Sequence, residues 1–280
     1  MPEPDWMRIR EDIRLSIVVH KLKDNRKKHL FLIACCRYVM SIITPELRDR
    51  VAKVINTGSS FLEPVSKDFW QTVDSGIDTA EEIATGFFLE SKRSGVVEML
   101  ELFSSHFDDL SATAPSPNED LTFDNMAVIL GGDISDLVLS TFLNIPSNTE
   151  LAIRASATII AFDEDAYYDG AHGGNDVESK DPHTQARETS ATRLTKILID
   201  IFGNLPDASK IHHDWLSWND GAILQLASDI FNNQSFEMMP QLAVDLEKAG
   251  CVDEEILEHC IQTDPHVRGC WVLDLLLNKQ

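Results

Sequence analysis

The sequence predicts an all-α protein, a multi-helix array or bundle divisible into two helical subdomains. Apolar residues recur at three- and four-residue spacing over most of the chain. Asp, Thr and Pro stand where helices would begin, and Gly or Pro where they would stop. Runs that alternate apolar and polar residues, the mark of a half-buried strand, are scarce.

Taken in order, Asp24 or Asn25 caps a first helix that carries Leu30, Ile33, Ala34, Arg37, Tyr38 and Ile42 and stops at ‘ITPE’. Thr44 caps a second, with Pro45 at its first position, Glu46 after it and Gly58 at its end. ‘SGIDTAEEIATGFFLE’ and ‘SGVVEMLELFSSHF’ read as two more helices. In ‘GGDISDLVLSTFLNIP’ the aspartate at 133 is the expected cap and Pro146 the stop. ‘NTELAIRASATIIAF’ follows as a helix, despite a β-branched run that would also suit a strand. The last 95 residues are expected to hold helices at about 186–202, 220–232, 236–249, 253–262 and 265–279, with Gly250 closing the third and Asp264–Pro265 opening the last.

The Pro/Ser/Asn stretch ‘SATAPSPNED’ (111–120) is the best boundary. It separates an N-terminal helical region, 1–115, from a variable middle, 116–185, which ends in a polar glycine-rich loop at 167–185. Residues 186–280 form a C-terminal helical module.

Hydrophobic residues make up 43% of the 280, enough for a sizeable core, and the 25% that are charged suit a soluble globular chain. No apolar run approaches the roughly 18 residues that span a bilayer, and ‘MPEPDWMRIRED’ lacks the apolar stretch of a signal peptide. A cytoplasmic location follows as the expectation. Five cysteines, an odd number with two adjacent, give no disulfide framework, and all five are expected to be reduced. The net charge of −22 is uneven: residues 1–53 hold twelve Lys and Arg against seven Asp and Glu. The acidic remainder repels nucleic acid at long range. The basic cluster ‘KLKDNRKKH’ reads as a solvated helix end lying against the acidic body rather than a contact patch for an acidic partner.

Chemistry-bearing residues concentrate in ‘HCIQTDPHVRGCW’ (259–271). With a helix starting at Pro265, His266, Cys270, Asp274 and Asn278 fall four residues apart on one polar stripe. His259, Cys260, His266 and Cys270 are then candidate zinc ligands, because zinc takes about four N or S donors at about 2.0–2.3 Å. No paired CxxC supports such a site, and a fourth donor would have to come from afar, for example from Cys35 or Cys36. The alternative is a helix–helix corner in which the cysteines fill space as small hydrophobes. A Cys270 nucleophile with His266 as its base suits the spacing but places a thiol on the second turn of an apolar helix, where burial makes it inert. Asp274, inside ‘WVLDLLL’, needs a partner if buried. His212, His213, Trp215 and Trp218 make a candidate binding surface. ‘DEDAYYDG’ (163–170) fails as a calcium loop because a tyrosine stands at its fifth position.

Certain segments resemble a family of paralogous proteins from planctomycete bacteria. They are ‘LIDIFGN’, Trp215, ‘LASDIFNNQSFEMMPQLAVDLEKAGC’, ‘ILEHC’ and ‘PHVRGCWVLDLLLNK’, with a weaker echo in ‘PDWM’ and ‘RKKHLFLIACCR’. The firm part covers about 90 residues. The proline–glycine turn that usually precedes the family's last helix is replaced in this chain by ‘IQTD’. The resemblance implies a cytoplasmic bacterial protein with a self-contained helical C-terminal module, and it brings no activity, cofactor or catalytic residue with it.

Phosphate loops, nucleophile elbows and paired metal motifs are all missing from the sequence. The functional expectation is therefore a non-enzymatic helical protein that works through an unidentified protein partner, with no catalytic residue, cofactor or metal assigned. The first alternative is a metal-binding or cysteine-dependent enzyme centred on His259, Cys260, His266 and Cys270. The second is nucleic-acid binding through the basic N-terminal segment.

Overall fold

A computed structural model describes residues 15, 18–19, 21–57, 69–86, 90–113, 123–143, 149–161, 182–203 and 211–279. Among these the chain is 85% helical and contains no strand, the all-α fold that the periodicity predicts. The chain divides into two compact units, 1–194 and 195–280.

The first unit contains α1 (Asn25–Ile42), α2 (Pro45–Thr57), α3 (Phe69–Ala84), α4 (Glu90–Thr113), α5 (Phe123–Leu143), α6 (Thr149–Ala161) and most of α7 (Pro182–Phe202). Local chemistry sets its first helix starts. The Asp24 carboxylate accepts the Lys27 N–H at 2.9 Å, and the Thr44 hydroxyl accepts the Leu47 N–H at 3.3 Å just before Pro45. Phe31, Phe69, Phe103 and Phe107 are fully buried, and the Phe69 ring meets those of Phe103 and Phe107 edge-on at 4.9 and 5.5 Å. Gly131 lets α5 approach α4: a Cβ at that position would stand 2.2 Å from the Phe107 ring.

The structure corrects several boundaries. α3 and α4 begin six and four residues earlier than predicted, because Ser75–Gly76 and Ser94–Gly95 lie inside helices rather than capping them. α5 likewise begins at Phe123, so Asp133 is no N-cap; it sits buried in mid-helix, where the Arg154 guanidinium of α6 grips both its oxygens. α7 starts at Pro182 instead of 186. Most of the predicted loop 167–185 and the ‘DEDAYYDG’ stretch fall outside the described residues. Among those described, no single helix is long and apolar enough to cross a membrane.

The second unit takes the last turns of α7, then α8 (His213–Ser217), a 3₁₀ turn at Trp218–Gly221, α9 (Ala222–Asn233), a 3₁₀ turn at Phe236–Met238, α10 (Met239–Lys248), α11 (Glu254–Ile261) and α12 (Trp271–Leu276). Asp253 caps α11 by accepting the N–H groups of Glu255 and Ile256. Ile223, Ala227, Ile230, Leu242, Leu246, Ile256, Trp271, Val272 and Leu276 share one buried core. The last helix begins at Trp271, six residues later than Asp264–Pro265 led us to expect. The N–H that an Asp264 cap would accept, that of Val267, donates instead to the distant Asp200 carboxylate at 2.8 Å, and the Asp264 carboxylate takes Lys196 Nζ at 2.7 Å. Residues 262–270 run as an irregular arm, and Cys270 becomes the N-cap of α12 rather than a second-turn residue.

Candidate functional site

Four side chains of the second unit meet at one buried point: Asp200 from the last turn of α7, His259 from α11, and His266 and Cys270 from the irregular arm. Each supplies one ligand atom, and these atoms all lie within 4.8 Å of one another. Asp200 Oδ1 is 2.6 Å from His266 Nδ1 and 3.1 Å from His259 Nε2. Cys270 Sγ is 3.2 Å from His259 Nε2 and 3.8 Å from His266 Nδ1. The Asp200 and Cys270 side chains are almost wholly buried and those of the two histidines nearly so.

Charge at this point is controlled by how many donors face it. Burial opposes ionisation of Asp200, yet the hydrogen bonds from His259 and His266 outweigh it and hold the carboxyl below its ordinary range. Cys270 moves the other way. Burial, reinforced by the nearby Asp200 charge, pushes its thiol well up. Cys260 is buried too and is pushed up to about 12, burial again being the main cause.

The connectivity separates two kinds of chemistry. A catalytic relay strings nucleophile, imidazole and carboxylate end to end and uses both ring nitrogens of the histidine. In this cluster the same nitrogen of His259, Nε2, faces both the Asp200 oxygen and the Cys270 sulfur, and Nδ1 of His266 does likewise. The four groups converge instead of relaying. Donor atoms around a tetrahedral zinc stand roughly 3.3–3.7 Å apart given bonds of about 2.0–2.3 Å, and the observed separations straddle that spacing.

Three of the four candidates read from sequence thus come together, and the fourth does not. Cys260 follows His259 on α11, and successive helical side chains diverge by about 100°, so His259 points to the cluster while Cys260 joins the apolar core. The distant residue that completes the cluster is Asp200, which sequence reasoning misses; Cys35 and Cys36 belong to the first unit, where Cys36 Sγ faces the Leu137 carbonyl at 3.9 Å. The signal is a carboxylate among Leu198, Ile199, Ile201 and Phe202, since a charge on an apolar helix needs a buried partner; the same argument singles out Asp274, which is buried outside the cluster. All five cysteines are free.

The surroundings are firm. Trp271 is 6% exposed, its ring 5.2 Å from that of His259, with its face against Gly203, where a Cβ would come within 3.1 Å. It shares a core with Leu242 and Leu246, and its ring partner is the histidine. Lys196 and Asp264 tie the arm to α7 at 2.7 Å. The expected aromatic surface is only partly one. His212 and His213 are exposed, whereas Trp215 enters the core and Trp218 packs half-buried against it, because their apolar area is worth more inside than in water. No protein-family model matches the chain, and neither a curated protein nor a solved structure matches it.

Proposed function

We propose that this chain is a metal-binding helical protein whose second unit holds one divalent first-row transition ion, zinc above all, between Asp200, His259, His266 and Cys270. The observation that carries the reading is the convergence of one oxygen, two nitrogens and one sulfur within 4.8 Å at a buried point. Mixed O, N and S donors suit zinc, which has no geometric demand of its own beyond a preference for four neighbours. Four protein donors complete a tetrahedron and leave no position for a reacting water, which favours a structural over a catalytic ion. Val267 N–H anchors the second oxygen of Asp200 and so leaves the first to the ion.

On this reading the chain remains non-enzymatic and cytoplasmic, working through protein partners. Val252 and Ile261, exposed at the two ends of α11, are its most exposed large apolar side chains among the described residues and support that use.

The test is elemental analysis of the purified chain together with cobalt substitution. One zinc per chain is expected, with the intense visible bands of tetrahedral cobalt, and Cys270→Ser should abolish the sulfur-to-cobalt charge-transfer band. A chain that takes up neither ion after incubation with excess metal would overturn the reading.

A further inference from the structure

To give its Nε2 lone pair to a cation, His259 must carry its ring proton on Nδ1, and a neighbour must accept that proton. The group facing Nδ1 is the side-chain amide of Gln262, whose Nε2 lies 3.3 Å away. Gln262 is the C-cap of α11, three residues beyond His259, so the helix end returns its side chain over the ring. In this arrangement the amide N–H donates to Nδ1. The ring proton then sits on Nε2, pointing at the Asp200 oxygen 3.1 Å away. A half-turn of the amide about its last torsion presents Oε1 instead, which accepts from Nδ1–H and frees Nε2 for the ion. Amide oxygen and nitrogen occupy nearly the same volume, so the exchange needs no repacking.

We infer that Gln262 is the positioning residue of the site: the orientation of its amide selects the tautomer of His259 and thereby sets how tightly the ion is held. The inference rests on the metal reading above. An amide serves both tautomers, which keeps the ion exchangeable. A carboxylate at the same place only accepts, and it holds His259 permanently in the form that binds metal.

Zinc affinity, measured by competition with a chromophoric chelator, tests this in the full chain. Gln262→Leu should weaken binding about 10- to 100-fold, the usual effect of losing a histidine's outer partner, while the tetrahedral cobalt spectrum persists because all four ligands remain. Gln262→Glu should bind at least as tightly as the wild type. Should the leucine variant fail to fold, a tenfold loss of affinity in Gln262→Glu overturns the inference by itself. A wild type that binds zinc and a Gln262→Leu that binds it equally well overturn this inference alone; a wild type that binds no zinc overturns the metal reading and this with it.

Discussion

Asp133 in the first unit and Asp200 in the second are both buried, at 3% and 1% exposed. Their chemistry is opposite. Burial raises Asp133 above its ordinary range even though Arg154 grips it, since the neighbouring Asp136 and Glu150 charges add to the burial. Asp200 is lowered although it is buried more deeply. The difference lies in the number and exposure of the donors. Arg154 is a single partner with a side chain 46% exposed, so it shares its charge with water. Asp200 faces two buried imidazoles, and its other oxygen takes a backbone N–H. Depth of burial decides the charge state less than the hydrogen-bond donors that converge on the carboxylate.

The sharpest way to break this comparison is to remove each carboxylate. Asp200→Ala should lose bound metal altogether and, with chelator present, cost roughly 3–5 kcal/mol, because it strands polar groups in a closed space. Trp271→Ala follows at about 3 kcal/mol, since the indole fills the space between His259 and Gly203. Asp133→Ala should cost less, about 1.5–3 kcal/mol, since the half-exposed Arg154 can turn to water. Denaturant melts of the three variants check the order; an Asp133→Ala as damaging as Asp200→Ala would show that donor exposure is not the deciding factor.

Acid titration sharpens the same contrast. The depressed Asp200 favours the folded state above its unfolded value, and that stability is lost as pH falls through the folded value. The raised Asp133 works the other way: the fold takes up its proton first, so falling pH relieves part of the cost of burying it. With metal removed, Asp200→Asn should flatten the loss of stability between roughly pH 5 and pH 2, and Asp133→Asn should steepen it. Matching slopes in both variants would contradict the opposite shifts of the two carboxyls. The smallest effect belongs to Cys270→Ala, about 1 kcal/mol in chelator for the small cavity it opens, growing clearly once zinc is supplied. A variant equally stable with and without zinc, beside a wild type that gains from it, is the expected pattern in melting curves.

What the sequence by itself determined is the part written within a few residues. The all-α class, the starts of α1 and α2 at Asp24 and Thr44–Pro45, and the Asp253 cap of α11 follow from side chains that reach backbone groups two or three positions away. The His and Cys content of 259–271 was visible for the same reason. Only the tertiary structure decided which of these residues meet. Asp200 stands 66 and 67 positions from the His266 and Val267 it binds, a separation that no spacing rule encodes. The Asp–Pro pair at 264–265 satisfied every local rule for a helix start, yet the helix begins at Trp271 and long-range contacts replace the cap bond: the Val267 N–H goes to Asp200 and the Asp264 carboxylate to Lys196. A local preference of about 1 kcal/mol yields to the set of partners that a buried charge requires, because leaving such a group unsatisfied costs several times more.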